Sequence, residues 1–149
     1  MADSSFIYVT YIRTTPDALW RALTTPEFMS QYWLGATADA DWRVGGPWTL
    51  AYSDGRVADE GEILEFEPPA RLAIKWRNVW NPEFAAEGWS HCLMELEPKD
   101  EVVKLTVTHT MERENAKFIG AVGGGWPQIL SNLKSLLETG EVIFKPKAW

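Results

Sequence analysis

The feature that most constrains the fold is an apolar stripe close to the C-terminal end of the chain. Its residues recur at the spacing of one helix face: Trp126, Ile129, Leu130, Leu133, Leu136 and Leu137. Such a face needs an apolar surface to pack against. Pro127 is tolerated in a first helical turn and Gly140 can end the helix, so the pattern predicts one long C-terminal helix. The glycine-rich segment 120–125 is expected to form a flexible joint before it.

The chain before this helix is dominated by strand patterns separated by turn residues. β-Branched and aromatic residues without glycine or proline predict a first strand over residues 6–13. Further strands are predicted over residues 38–44, 48–53, 57–67, 71–78, 89–97 and 102–112. Their order, with short turns between neighbours, predicts a meander of antiparallel strands.

Two helix-start signals follow the first strand. Thr15 and Thr25 each precede a proline and an acidic residue, which is the pattern of a helix cap and first turn. Two short helices are therefore predicted, the second ending at Gly35. By contrast, residues 79–88 contain Asn81-Pro82 and no strand period, so a loop is predicted there.

These elements predict an α+β fold in which a curved antiparallel sheet of about six or seven strands wraps around the long C-terminal helix. A chain of 149 residues is close to the commonest domain size, so residues 1–149 are interpreted as a single domain. Burial of the helix stripe by a sheet is the simplest way to build one core from this order of elements.

Charge and cysteine content narrow the classes of partner and compartment. A formal net charge of -7 without a basic cluster argues against nucleic acid and anionic membrane surfaces as partners. No apolar stretch approaches the roughly 20 residues that span a bilayer. The first residues do not resemble a signal peptide, and the single Cys92 has no internal disulfide partner, so a cytoplasmic location is expected.

The aromatic content suggests a ligand pocket. Nine tryptophans and 13% aromatic residues exceed what a small core needs for packing, although filling the space between sheet and helix is the alternative explanation. The residues predicted to bind a ligand are Trp33, Trp48, Tyr52, Trp76, Trp80, Cys92, Met94, His109, Trp126, Ile129 and Leu130. Trp80 and Phe84 could form a lid on the loop 79–88, and the glycine-rich segment would complete the entrance.

Polar chemistry in such a pocket points first to His109. It alternates with Val107 and Met111 on the predicted inner face, where a neutral imidazole could act as a general base or bind a carbonyl. The alternative is a structural histidine bonded to a neighbouring backbone carbonyl. His91 has the opposite parity and is expected to face solvent.

The other reactive residue types are predicted to be inert. Cys92 lies among apolar strand residues and is expected to be a packing group. The set Glu60, Glu62, Glu65 and Glu67 alternates irregularly and is interpreted as a solvated edge, with one inward glutamate left open. No metal-binding spacing and no G-x-G-x-x-G motif occurs, so neither a metal nor a cofactor is predicted.

Several segments together resemble a known family. The opening segment is Pro16-Asp17-x-x-Trp20-x-Ala22-Leu23-Thr24-x-Pro26-Glu27, followed by Trp33. It is joined by Arg43-Val44-Gly45-Gly46-Pro47-Trp48, Asp54-Gly55, residues 61–72, Leu105-Thr106-Val107-Thr108-His109, and Gly125-Trp126 with Leu130, Leu133 and Leu137. In this order they resemble the activator-of-heat-shock-protein-90-ATPase homologue family of the START-like (SRPBCC) superfamily, which implies the helix-grip fold.

The resemblance leaves three functions open. The superfamily includes lipid and hormone carriers, so non-catalytic binding of a small hydrophobic or aromatic molecule is the first hypothesis. A cyclase or hydrolase acting on an aromatic or polyketide-like substrate, with His109 as its polar group, is the second. The third is a chaperone-associated protein-interaction module, with Val142, Ile143, Phe144 and Trp149 as the apolar patch. Chaperone stimulation itself is not expected, because the family's co-chaperone joins this domain to a separate N-terminal one.

Overall fold

The protein's computed structural model describes residues 3–146, and these contain a seven-stranded antiparallel sheet. Its strands are β1 (Ser4–Ile12), β2 (Ala36–Ala40), β3 (Pro47–Tyr52), β4 (Val57–Glu67), β5 (Arg71–Asn78), β6 (Ser90–Lys99) and β7 (Val102–Met111). The order across the sheet is β1-β7-β6-β5-β4-β3-β2. Neighbours from β2 to β7 follow one another in the chain, which confirms the predicted meander.

Four helices accompany the sheet in the described residues: α1 (Pro16–Thr24), α2 (Pro26–Met29), α3 (Pro82–Glu87) and α4 (Lys117–Thr139). The cap predicted for α1 is present, since the Thr15 hydroxyl accepts a hydrogen bond from the Ala18 N–H at 3.2 Å. The second helix is shorter than predicted. Leu34 and Gly35 both have positive φ and turn the chain into β2.

The prediction of a loop over residues 79–88 was wrong for Pro82–Glu87, which form the helix α3. The Asn81 side chain accepts a hydrogen bond from the Glu83 N–H at 2.9 Å, and Pro82 occupies the first turn. This is a capped helix start of the same kind as that of α1. Asn81-Pro82 was interpreted as a sign of a loop, although it begins a helix.

The prediction of a glycine joint before the last helix was also wrong. Helix α4 begins at Lys117 and contains all the glycines of segment 120–125, so Pro127 lies in its middle and not in its first turn. Two contacts hold the start of the helix: the carboxylate of Glu87 accepts hydrogen bonds from the N–H groups of Lys117 at 2.7 Å and Phe118 at 2.9 Å. Because Glu87 belongs to α3, local sequence patterns do not reveal this cap.

One glycine of α4 is required by close packing against the sheet. A Cβ added to Gly123 would lie 3.2 Å from the ring of Phe6 on β1, closer than most real Cβ contacts. At its other end α4 stops at Gly140, as predicted, with φ of 84° and its N–H bonded to the Leu136 carbonyl. The helix therefore runs close along β1 before it ends.

The core lies between α4 and the inner face of the sheet. The predicted helix stripe is buried at Trp126, Ile129, Leu130 and Leu133, while Leu136 and Leu137 are partly buried. The inner faces predicted for β6 and β7 are buried throughout: Cys92, Met94, Leu96, Val103, Leu105, Val107, His109 and Met111. The sheet and its central helix confirm the predicted α+β helix-grip architecture. None of the described helices is long and apolar enough to cross a bilayer.

The strands β1, β2, β3, β6 and β7 differ from their predicted bounds at one or both ends, and two of these differences lie near turns. The strand predicted over residues 38–44 ends at Ala40, because residues 41–46 form a tight turn closed by the Gly46 N–H and the Arg43 carbonyl. A Cβ on Gly46 would lie 1.8 Å from the Asp41 carbonyl oxygen, so this turn requires glycine there. Trp89 lies just before β6 and is exposed, with the Lys75 ammonium 4.6 Å from its ring centroid.

A bulge in β4 explains the irregular spacing of its glutamates. The pairing with β5 skips Leu64, since Ile63 pairs with Ile74 and Glu65 pairs with Ala73. The parity of the strand therefore reverses at Leu64. As a result none of the four glutamates of β4 is buried, so no inward glutamate exists among them. The buried acidic residue of this strand is Asp59.

Candidate functional site

A pocket lies between α4 and the strands β3, β4 and β5. It consists of two adjoining cavities of about 380 Å³ and about 190 Å³, and we call them together the α4 pocket. Both cavities are lined by Trp33, Leu50, Asp59, Asn78, Gly125 and Ile129. The larger one adds Leu34, Ala36, Tyr52, Ala58, Gly124 and Gln128, and the smaller one adds Trp76, Phe84, Phe118, Ala121, Val122 and Trp126.

Tryptophan rings form one wall of the α4 pocket. The Trp76 ring lies 5.8 Å from that of Trp126 and 6.2 Å from that of Trp33, measured between centroids. Behind it, the Trp48 ring is 4.5 Å away. Trp48 and Trp76 are the partners of Gly61 in the two neighbouring strands. A Cβ added to Gly61 would lie 1.8 Å from the Lys75 carbonyl oxygen, so the close approach of the β5 backbone requires glycine there.

The buried carboxylate of Asp59 is the acidic group of this pocket. It accepts hydrogen bonds from the Trp76 indole N–H and, at 2.6 Å, from the Asn78 side-chain amide. Burial disfavours the charged form and raises the pKa of Asp59 to about 6, although both hydrogen bonds act in the opposite direction. A carboxyl group with this pKa changes its charge close to neutral pH.

A second asparagine orients the amide of Asn78. The Asn78 side-chain oxygen accepts a hydrogen bond from the Asn81 N–H at 2.8 Å, so its NH2 group is the one that points at Asp59. Because the Asn81 side chain also caps α3, this short chain of hydrogen bonds connects the start of α3 to the pocket carboxylate.

His109 is buried beside this wall and both of its ring nitrogens are occupied. Nδ1 accepts from the Trp126 indole N–H at 3.1 Å, and Nε2 lies 2.8 Å from the Ser90 hydroxyl, which donates to the Trp76 carbonyl. These partners assign the proton of a neutral imidazole to Nε2. Burial, with a smaller effect of His91, lowers the pKa of His109 to about 3. In this arrangement no ring nitrogen is left to accept a proton from a ligand.

The predicted ligand-binding residues fall into two groups. Trp33, Tyr52, Trp76, Trp126 and Ile129 line the α4 pocket. The others do not line either cavity: Trp48, Trp80, Cys92, Met94, His109 and Leu130. Of these, Cys92 is buried and burial raises the pKa of its thiol, in keeping with a packing role. Trp80 is exposed and packs edge-on against Tyr52, with the Arg56 guanidinium 4.6 Å from its ring centroid.

Sequence reasoning missed the two polar residues at the centre of the pocket. Asp59 lies two positions before Gly61 and four before the buried Ile63, so alternation within β4 already places it on the inner face. Asn78 is its partner across β5. Phe84 does line the smaller cavity, together with residues of the glycine-rich part of α4. Within residues 3–146, no cluster of three or more His, Cys, Asp or Glu side chains could hold a metal ion.

Comparison with known proteins places this geometry in context. The sequence model of the family described as Activator of Hsp90 ATPase homolog 1-like protein matches residues 13–138. The solved structure of protein MLL2253 from Mesorhizobium loti is similar with a TM-score of 0.79 and 25% identity, covering 93% of this chain and 100% of that one. None of the curated protein sequences compared with the chain matches it.

Two further solved structures are similar at the same identity. PFC0360w of Plasmodium falciparum, described as an Hsp90 activator, has a TM-score of 0.72 and 25% identity, covering 90% of this chain and 96% of that one. CalU16 of Micromonospora echinospora has a TM-score of 0.71 and 25% identity, covering 91% of this chain and 77% of that one. All three similarities cover at least 90% of this chain.

Proposed function

We propose that this chain, which belongs to the Activator of Hsp90 ATPase homolog 1-like family, binds a small hydrophobic molecule in the α4 pocket. The observation that carries the proposal is the pocket itself. Its walls are mostly aromatic and aliphatic, with a few convergent polar groups, and this is the usual construction of a small-molecule site.

The volume and position of the pocket support this proposal. The larger cavity, of about 380 Å³, falls within the range of roughly 300–1,000 Å³ that is common for ligand sites. Its apolar walls favour an aromatic or alicyclic body, while Asp59, Asn78 and Gln128 offer hydrogen bonds that would orient it. The rings of Trp33, Trp76 and Trp126 contact one another and need little ordering when a ligand enters.

Filling the pocket from α4 tests the proposal. The neutral fluorophore N-phenyl-1-naphthylamine is the probe, and its emission rises on transfer to an apolar site. Gly125 lines both cavities, and a Cβ added there meets no atom within 4 Å. Gly125→Leu should therefore extend into the pocket and weaken dye binding by tenfold or more. Because leucine is the better helix former, by about 0.8 kcal/mol, the variant should remain folded.

Gly120→Leu is the matched control for this experiment. Gly120 lies in the same helix, is exposed and lines neither cavity, and its added Cβ also meets no atom within 4 Å. This variant should bind the dye as the parent protein does. Absence of saturable dye binding by the parent protein, or equal binding by the two leucine variants, would contradict the proposal.

The enzyme alternative built on His109 is less well supported by the geometry. Its imidazole does not line the pocket, and both ring nitrogens are held by Trp126 and Ser90. A general base needs a free nitrogen within hydrogen-bond reach of the substrate. We therefore propose binding without His109 catalysis as the function of this pocket.

The similarity to an Hsp90 activator favours a protein-interaction role as the second candidate. Of the predicted patch, Ile143 and Phe144 are exposed by 62% and 40%, and buried Asn132 holds this segment through hydrogen bonds to both backbone N–H groups. Trp149 lies outside the described residues. The test is the ATPase rate of purified Hsp90: a rise on addition of the chain, lost in Ile143→Ser, would support this role, and an unchanged rate would contradict it.

A further inference from the structure

We propose that the α4 pocket selects a hydrophobic amine in its protonated form, with the ammonium group bound at Asp59. This inference rests on the proposed function and adds the chemical class of the ligand. It follows from three features of the site: the open acceptor positions of a buried carboxylate, the shortage of positive charge around it, and the aromatic faces beside it.

The Asp59 carboxylate has capacity for further donors. A carboxylate offers about four acceptor positions, and each oxygen of Asp59 receives one hydrogen bond from the neighbouring strand, from Trp76 or from Asn78. Asp59 lines both cavities, so its remaining positions are available to a molecule in either of them. An ammonium N–H would fill them with a charge-assisted hydrogen bond, which is stronger than one from a neutral donor.

Positive charge is missing from the surroundings of this carboxylate. Asp59 forms no ion pair with any residue between 3 and 146, and the lining of the α4 pocket in that range contains no Lys, Arg or His. Its two hydrogen-bond partners are neutral. A buried carboxylate without a counter-charge is unfavourable, and a bound cation removes that penalty, whereas a neutral alcohol does not.

The walls beside Asp59 also suit a cation. The Trp76 indole that donates to the carboxylate is in contact with the rings of Trp33 and Trp126, and all three line the pocket. A cation within about 6 Å of an indole face is attracted by the ring quadrupole. The hydrocarbon body of the amine would occupy the rest of the pocket, against Leu50 and Ile129.

A series of three compounds with the same ring system tests the inference. Naphthalen-2-ylmethanamine, naphthalen-2-ylmethanol and naphthalene-2-carboxylic acid are cationic, neutral and anionic at about pH 7.5. Displacement of N-phenyl-1-naphthylamine and direct calorimetry measure their affinities. The amine should bind at least tenfold more tightly than the alcohol, and the acid should bind most weakly. Equal affinities, or tighter binding of the acid, would overturn the inference while saturable dye binding leaves the proposed function standing.

The pH profile of the unaltered protein gives an independent test. Because the pKa of Asp59 is about 6, protonation should weaken binding of the amine roughly tenfold between about pH 7.5 and about pH 5. The only other titratable side chain that lines the pocket in residues 3–146 is Tyr52 on β3. Burial and the charge of Asp59 raise the pKa of Tyr52, although Arg56 acts in the opposite direction. Tyr52 stays neutral over this range. From α4 and β5, Gln128, Trp126, Trp76 and Asn78 face the site and do not titrate.

The Asp59→Asn variant should lose both effects. Asparagine keeps the size of the side chain and an acceptor for Trp76, so the neutral dye should still bind and report an intact pocket. The amine should bind about tenfold more weakly and without the pH dependence, and Asp39→Asn, at an exposed position of β2, should change neither. If Asp59→Asn retains the preference for the amine, the inference fails. If the variant does not fold, the pH profile of the parent protein decides: weaker binding of the amine at the lower pH supports the inference, and binding that does not change with pH contradicts it.

Discussion

At the scale of single residues, two buried polar side chains near the α4 pocket, His109 and Asp59, differ in how fully their neighbours satisfy them. His109 is neutral and satisfied at both nitrogens by Trp126 and Ser90. Asp59 is held by two neutral donors and keeps a charge that no described neighbour compensates. The first arrangement fixes the inner face of β7 against α4. The second leaves the Asp59 carboxylate facing the α4 pocket without a counter-charge, and this carboxylate is the group that points to a ligand.

The structural role assigned to His109 leads to a stability prediction. His109→Leu removes the acceptor of the Trp126 indole N–H and the donor to the Ser90 hydroxyl oxygen, which still donates to the Trp76 carbonyl, and puts an apolar side chain of similar size in their place. Leaving buried polar groups unpaired should lower the free energy of unfolding by about 2–4 kcal/mol. Urea denaturation followed by circular dichroism measures the change.

The control for His109 is the other histidine. His91 precedes Cys92 on β6 and is only partly buried, on the opposite side of the strand, so His91→Leu should change the free energy of unfolding by less than about 0.5 kcal/mol. A loss of stability at His91 equal to that at His109 would show that the hydrogen bonds of His109 do not matter.

At the scale of elements, α4 joins three parts of the fold. Its apolar stripe packs on the sheet, Gly123 lets it approach β1, and Glu87 at the end of α3 binds its first N–H groups. The glycine-rich turns thus belong to the helix because tertiary contacts hold its start at Glu87 and its packing on β1 at Gly123. Two other glycines of this segment, Gly124 and Gly125, line the pocket and leave open space there, which longer side chains would fill.

The cap supplied by Glu87 can be tested on its own. Glu87→Ala should lower the free energy of unfolding by about 1 kcal/mol, since two N–H groups at the helix start lose their acceptor and the helix dipole loses a negative charge. Amide hydrogen exchange should become faster in the first turn of α4, at residues 117–120.

Glu83→Ala serves as the matched comparison in α3. Glu83 makes an exposed ion pair with the Lys117 ammonium at 3.1 Å, and such pairs stabilise proteins little. Its removal should leave exchange in α4 almost unchanged. Equal effects of the two alanine variants would mean that the charge of α3, and not the Glu87 hydrogen bonds, holds the helix start.

At the scale of the whole molecule, the α4 pocket reduces core packing. Space that side chains could fill remains open, and the carboxyl group of Asp59 is buried beside it. The remainder of the core is closely packed around α4, with buried side chains from every strand and from α1, α2 and α4. The molecule therefore tolerates one unfavourable region within a well-formed sheet and helix.

That unfavourable region predicts how global stability depends on pH. The pKa of Asp59 rises from 3.8 in the unfolded chain to about 6 in the fold. Between these values the folded state binds more protons, so stability due to this group is present below pH 3.8 and is lost as the pH rises through about 6. Lowering the pH from about 7 to about 5 should thus add about 1 kcal/mol to the free energy of unfolding.

Comparison with Asp59→Asn isolates this contribution from those of other groups. The difference in unfolding free energy between parent and variant should change by about 1 kcal/mol over this pH interval, with the parent gaining stability at the lower pH. Urea titrations at both pH values provide the measurement. A constant difference would mean that the pKa of Asp59 is not raised in the folded protein.

Local pattern alone determined the α+β class, the antiparallel meander, the inner faces of β6 and β7, and the packing stripe of α4. These follow from periods of two and of 3.6 residues, which burial imposes on neighbouring positions. Leu130 and Leu133 on α4 and Val103 and Val107 on β7 could be placed inside from the sequence because each belongs to such a repeat.

Only the tertiary structure decided the site. The bulge at Leu64 changes the parity of β4, Glu87 caps a helix 30 residues away, and Trp126 takes up the nitrogen of His109 that a catalytic base would need. The α4 pocket is the space left between side chains of α4, β3, β4 and β5 and of the segment after α2. Such a space depends on how separate elements pack together, and no repeat along one segment of sequence records it.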